Sequence, residues 1–421
     1  MRLMIIQGGG DYYKSFQRMA SGDPEIYYAE NYSVNVITEL KSHVNSLVQV
    51  CLGTDKLYDE TLPTGVRAIG LGFKTKGYQI GKCLDLLEVH RPTHIVLQVL
   101  LIPILKWAIR NNIKVLVTNP NCLLLNNYRD YLRSIMLASL LNHPVIEWVG
   151  SYGVNSSMRL KHIGVKAEKI IPWDFLFQDS PGDFAVKALP TETKLFKLFY
   201  VGSVSKEKGV EDIILALVEL RRRNMSVKLT IAGQDLNNHF YQFAQSFQIG
   251  DCIEFLGLTP NNQIEWLMHQ ADVVLVPTQH QYPEGFPLSI HHALRSRTPI
   301  VASDHPMFLG YLRSEETAMI FRAGDAIDCA SKIHCLLSKP SLYNHISKSS
   351  HETWQQLRLE VKWGDLLHRW VVDSRVEHNW FTEHSLATGR YESPSLGYNP
   401  ATQKLNWIKN FLGKVLVSVY H

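Results

Sequence analysis

Paired thiols are missing from this chain. The six cysteines (Cys51, Cys83, Cys122, Cys252, Cys329 and Cys335) stand far apart with no C-x-x-C among them. That spacing excludes a zinc or iron–sulfur site built on thiolate pairs, and the residues read as buried thiols of a reducing compartment. Long hydrophobic runs are missing too. The most apolar segment, 94–109, is interrupted by Gln98, Pro103, Lys106 and Trp107, too short and too broken to span a bilayer. The apolar opening at residues 1–6 is too short for a signal peptide and leads straight into glycines, so a cytoplasmic protein is expected. Charge of one sign is scarce: 43 Lys and Arg stand against 39 Asp and Glu, a net charge of +4. Such a balance suits anionic substrates or an anionic membrane surface and lacks the basic stripe of a nucleic-acid binder. A dinucleotide fingerprint is absent as well, because Gly8-Gly9-Gly10-Asp11 follows a short strand without the G-x-G-x-x-G spacing.

What is present is enough apolar material for two cores, 45% hydrophobic against 19% charged over 421 residues. Strand and helix signals alternate. Strands are expected at 2–7, 46–53, 66–73, 94–98, 114–118, 144–148 and 169–173, with helices at 76–90, 101–111, 125–142 and 154–164. A stretch rich in Pro, Gly, Ser and acids follows, and the alternation resumes from 197 to 304. The pattern predicts an α/β protein of two doubly wound domains: 1–180, a linker at 181–195, a second domain at 196–375 and a tail at 376–421. Ligands of such sheets sit at the carboxyl ends of the strands, so the cleft between the two domains is the expected site.

The most informative stretch is Glu284-Gly285-Phe286-Pro287-Leu288, opening a short helix that leads to the buried strand 298–304. Pro287 is expected in the first helical turn, where it loses no hydrogen bond. The free N–H groups there suit a phosphate, and Glu284 can accept hydrogen bonds from sugar hydroxyls. Two further loops reach the same sheet edge: Ser203-Val204-Ser205-Lys206-Glu207-Lys208-Gly209 and Gln234-Asp235. A lysine beside a helix N-terminus would neutralise a diphosphate leaving group. Taken singly, Lys206 and Lys208 also read as solvated side chains. Asn119 and Asn121, after strand 114–118, lie at a plausible site yet are equally ordinary turn residues. His305 is a candidate sugar contact or a loop histidine without a role. His291 and His292 are adjacent on a helix, point in different directions and do not share an ion; no metal site is expected.

The ordered set 201–209, Ile231-Ala232-Gly233, Phe255-Leu256-Gly257, Pro277-Thr278 and 284–288 resembles retaining glycosyltransferases of the GT-B fold, family 4 (glycosyl transferases group 1). The likeness is concentrated over residues 195–312. It implies two Rossmann-like domains facing a central cleft, a nucleotide-diphosphate sugar as co-substrate on the second domain, and a glycan or lipid-linked acceptor on the first. It implies no metal ion and no other cofactor. Carried over by position, Lys208 holds the diphosphate and Glu284, the first acid of an E-x7-E pattern, faces the sugar. The backbone of Gly285, Phe286, Pro287 and Leu288 supports sugar and phosphates, and Gly9 and Gly10 approach the diphosphate from the opposite side. Two positions depart from the pattern. His292 stands where the second acid contacts ribose, and Ser203 stands where an arginine is frequent, with Lys206 as its substitute charge. Asn119 or Asn121 stands nearest to where many members carry a histidine.

Beyond the second domain, Trp407, Ile408, Phe411, Leu412, Val415, Leu416 and Val419 form one stripe of an amphipathic helix. It either docks on the protein or gives peripheral membrane contact through 404–421. Function then divides between an active transferase in polysaccharide biosynthesis and a weakened nucleotide- or glycan-binding partner subunit. Another GT-B chemistry, such as an epimerase or a phosphorylase, remains a third reading; nothing marks a pyridoxal-binding lysine.

Overall fold

A computed structural model of the protein describes residues 1–72, 79–125, 127–175, 180–189 and 195–391. The helix expected at 404–421, and residues 190–194 of the expected linker, lie outside the described residues.

The first sheet has eight strands: β1 (Arg2–Gln7), β2 (Ser46–Cys51), β3 (Leu57–Thr61), β4 (Arg67–Leu71), β5 (His94–Leu97), β6 (Lys114–Asn119), β7 (Ile146–Tyr152) and β8 (Ile170–Trp173). Their order is β3-β4-β2-β1-β5-β6-β7-β8. All pairings are parallel except β3 with β4. The central strands are near-continuous apolar runs because helices cover both faces. Edge strand β3 escaped the sequence reading, since four of its five residues are exposed and it carries no apolar alternation. The helices of this domain are α1 (Tyr12–Ala20), α2 (Glu30–Leu40), α3 (Ile80–His90), α4 (Ile102–Arg110), α5 (Tyr128–Leu141) and α6 (Val154–His162).

The second sheet has six parallel strands: β9 (Phe196–Val201), β10 (Val227–Ala232), β11 (Ile253–Gly257), β12 (Val273–Val276), β13 (Ile300–Ser303) and β14 (Met319–Phe321). Their order is β11-β10-β9-β12-β13-β14. Helices α7 (Val210–Arg222), α8 (His239–Ser246), α9 (Asn261–Gln270), α10 (Leu288–Arg295), α11 (Ala326–Ser338) and α12 (Pro340–Leu357) pack around it. Both sheets turn their carboxyl edges toward one cleft, the two-Rossmann GT-B arrangement.

The division at residue 375 drawn from sequence differs from the packing. After α12 the chain returns to the first sheet as α13 (Trp363–Val372) and α14 (Arg375–Glu383). Trp363 Nε1 donates to Thr118 Oγ1 at 3.3 Å and Trp370 Nε1 to Glu147 Oε2 at 2.7 Å, while the Gly364 N–H donates to the Tyr32 hydroxyl at 2.9 Å. Phe381 stacks on Trp148 with ring centroids 4.8 Å apart. At the crossing, Lys362 Nζ lies 2.5 Å from Asp174 Oδ1, and Asp174 also accepts the Leu359 N–H at 2.8 Å. The residues from Leu359 onward therefore complete the first domain. The tail between 376 and 391 contains a helix that its weak periodicity concealed.

Candidate functional site in the interdomain cleft

The second-domain wall is built by three loops that leave β9, β10 and β12. Gly209 is the hinge of the first. Its φ is +76°, and a Cβ there would stand 2.1 Å from the Pro277 carbonyl oxygen, so only glycine lets this loop press on the end of β12. That contact delivers Lys208 to Glu284: Nζ and Oε2 are 2.5 Å apart and both side chains are largely buried. Thr278 Oγ1 donates to the same carboxylate oxygen at 3.2 Å. The ammonium also lies 4.3 Å from the Tyr282 ring centroid, a cation–π contact.

Helix α10 begins at Leu288, with Pro287 just outside it at φ −66° and ψ 131° and no side-chain cap. The first-turn placement of Pro287 is thereby corrected by one residue: its extended ψ belongs to the position before the helix, and its carbonyl accepts the Ile290 N–H at 3.0 Å. The uncapped N–H groups stay available for an anion, as expected. Gly285 meets the first domain, where a Cβ would come 2.3 Å from the Pro120 carbonyl oxygen.

A cavity of about 670 Å³ brings together Ser203, Lys208, Glu284, Gly285, Pro287, Leu288 and His292 with Asn121 of the first domain. Phe286 also borders it, but its ring is buried against Tyr311 and His291, at centroid distances of 5.4 and 5.3 Å. A second cavity of about 620 Å³ is lined by Gly9 and Gly10 and continues the first, since both include Tyr28, Pro120, Phe175 and Gln234.

Two expectations do not survive the geometry. Lys206 is not among the lining residues; its side chain is 65% exposed and pairs with Glu211 at 2.9 Å, so it supplies no charge in place of the missing arginine. Asn119 is buried and its amide donates to the Asn121 carbonyl, making it a turn former, while Asn121 reaches the cavity. His305 is also withdrawn from the cavity, 1% exposed, with Nε2 3.2 Å from the Tyr282 carbonyl oxygen; it supports Tyr282 from behind. Burial pushes its pKa down to about 3.

His292 is 8% exposed and sits edge-on to Tyr28, with centroids 5.2 Å apart. Among the described residues its Nε2 has no hydrogen-bond partner. Burial, and secondarily Arg295, hold its pKa down to about 4, so the ring is neutral near pH 7. His291 borders a separate small cavity beside Tyr152 and Tyr311. Among the described residues no group of three His, Cys, Asp or Glu side chains is placed to hold a metal. Tyr282 and Tyr28 were not picked out from sequence, and Thr278 entered only within the Pro277-Thr278 motif; Tyr282 carried a signal only through its place two residues before Glu284.

This site lies in a GT-B fold, and solved structures with the same fold are known. Sucrose-phosphate synthase from Thermosynechococcus elongatus superposes with a TM-score of 0.62 at 16% identity, over 88% of this chain and 97% of that one. HepE from Anabaena, in complex with UDP and glucose, superposes with a TM-score of 0.60 at 13% identity, over 89% and 98%. Residues 183–353 match the family model described as glycosyl transferases group 1. Over 168 residues the chain is 26% identical to glycogen synthase of Mycobacterium tuberculosis, covering 40% of this chain and 39% of that protein. The alpha-monoglucosyldiacylglycerol synthase of Streptococcus pneumoniae is 22% identical over 185 residues, 44% of this chain and 40% of that protein. The chain thus spans about two-fifths of the length of the curated relatives it matches.

Proposed function

We propose that the protein is a glycosyltransferase that moves a hexosyl group from a nucleotide-diphosphate sugar to a hydroxyl of a glycan or lipid-linked acceptor, with retention at the anomeric carbon. The observation that carries this is the buried Lys208–Glu284 pair beside the uncapped start of α10. Without a ligand each charge neutralises the other. A bound diphosphate draws the ammonium to itself, and the freed carboxylate turns to the sugar hydroxyls. As the bond from the anomeric carbon to the phosphate oxygen breaks, charge grows on the diphosphate, where Lys208 and the α10 amides stabilise it. The acceptor oxygen bonds to the same carbon and its proton passes to a phosphate oxygen of the leaving group. No metal is needed for that charge balance. Uridine heads the list of bases, because HepE is solved with UDP and with UDP-glucose.

A second reading, a nucleotide-binding partner subunit of reduced activity, draws on neutral His292 in place of an acid and on Ser203 in place of an arginine. Calorimetric titration with UDP, GDP and ADP in EDTA tests both. The transferase reading expects micromolar binding of one nucleotide, lost in Lys208→Ala, together with hydrolysis or transfer from its sugar conjugate. Binding without turnover from any nucleotide sugar favours the partner subunit, and no binding overturns the donor site. No helix among the described residues is long and apolar enough to cross a membrane. We further propose a cytoplasmic protein with peripheral membrane contact through 404–421; unchanged liposome sedimentation after deleting that segment would remove the membrane part.

A further inference from the structure

Helix α5 is apolar on two sides. Its inward positions Leu137, Ala138 and Leu141 are buried in the core between the first sheet and its helices. On the opposite side Tyr128, Tyr131, Leu132, Ile135 and Met136 recur at the i, i+3, i+4, i+7, i+8 spacing of one helical face. Each exposes between 38% and 50% of its surface. Single exposed apolar residues are ordinary, but five on one face of one helix form a continuous patch, and such a patch marks a surface that meets something. The chain enters it from the cleft: Asn121, on the cavity wall, leads through Leu123, Leu124 and Leu125 into α5.

Charge selects what it meets. Between Glu88 and Glu147 the sequence has a single acid, Asp130, against six Lys and Arg. Four of the six are exposed on α5 and on α4, which packs beside it: Arg129 and Arg133, and Lys106 and Arg110. Asp130 is half-buried in the first turn of α5. A second copy of this face would set arginine against arginine, and the apolar segment 404–421 carries three lysines and no acid, so both bring like charge. An anionic lipid surface brings the opposite charge, takes in aliphatic side chains and holds amphipathic tyrosine rings at headgroup level. We propose that the outer face of α5 docks on an anionic membrane surface. Leu132, Ile135 and Met136 enter the lipid, Tyr128 and Tyr131 lie among the headgroups, and Arg129 and Arg133 meet their phosphates. This face is separate from residues 404–421 and stands whether or not the transferase reading does.

The test is co-sedimentation of the full chain with vesicles of phosphatidylcholine alone and of phosphatidylcholine with one-third phosphatidylglycerol. Two double variants, Leu132→Gln with Ile135→Gln and Arg129→Gln with Arg133→Gln, are run beside it. All four positions are exposed, so both variants should unfold at the wild-type temperature. Expected is binding to the anionic vesicles at least tenfold tighter than to the neutral ones, weakening as salt rises from about 0.1 to 0.5 M. The leucine–isoleucine variant should lose at least tenfold of that affinity and the arginine variant at least threefold, and the same losses should appear in a chain lacking 404–421. Equal binding to neutral vesicles, no vesicle binding, or anionic binding that both variants retain overturns the proposal. So does binding that disappears on deletion of 404–421 alone, which would assign it to that segment. A wild-type dimer in sedimentation velocity that the leucine–isoleucine variant dissolves overturns it in favour of a contact between copies.

Discussion

Lys208 and Glu284 are held as a pair whose two members have separable roles, and substitution should separate them. In Glu284→Gln the ammonium loses its counter-charge and is free for phosphate, so nucleotide affinity should equal or exceed that of the wild type while turnover falls on the order of 10²-fold. Lys208→Ala should lose at least tenfold in nucleotide affinity. Parallel losses in both variants, read by calorimetry and donor consumption, would show a merely structural pair. Three histidines near this site are buried and neutral: burial pushes His291 and His305 down to about 3 and His292 to about 4 from the ordinary 6.5. The unfolded chain takes up protons below pH 6.5 that the folded chain refuses. Their contribution to stability is therefore complete above that pH and is lost as pH falls, by up to ~1.4 kcal/mol per histidine per pH unit. Denaturant titrations at pH 7.5, 6.0 and 5.0 should show that decline, with a shallower slope in His292→Gln. A flat profile would contradict it.

Single loops carry the site, and glycines decide where they lie. The motif at 284–288 was legible because a proline before a short apolar helix is a local signal, read one residue early at Pro287. The close approach of Gly285 to Pro120 was not legible, since it joins residues of two domains. Gly285→Ala should leave the nucleotide wall intact but hold the domains apart. Expected is nucleotide affinity within threefold of wild type and transfer slowed on the order of 10²-fold, the usual cost of about 1 Å of misplacement. Normal transfer would show that the cleft need not close there. Lys206 teaches the reverse lesson: proximity in sequence to Lys208 said nothing about direction, and Glu211, five residues on in the first turn of α7, took the charge outward.

Across the whole molecule, the returning α13 and α14 tie the end of the described chain to its beginning. The tie is the Lys362–Asp174 pair, with side chains 14% and 3% exposed. Removing one member leaves a buried charge alone, so Lys362→Ala should destabilise the protein by ~3 kcal/mol or more in denaturant titration. A change under about 1 kcal/mol would mean that the aromatic contacts of Trp363, Trp370 and Phe381 hold the crossing unaided.

Sequence alone determined the doubly wound α/β plan, because apolar periodicity and glycine-rich turns are properties of neighbouring residues. It also identified Lys208, Glu284 and His292 as members of one wall. Tertiary structure decided which of the neighbouring lysines enters the cleft, that Asn119 folds back on its own turn, and that α13 and α14 complete the first domain. It also decided that the two cations of the first-domain cavity, Lys14 and Arg18, are each paired with a carboxylate. The return of α13 and α14 depends on contacts between residues far apart in the chain, and the placing of Lys206 and Asn119 on side-chain directions, neither of which a local pattern records.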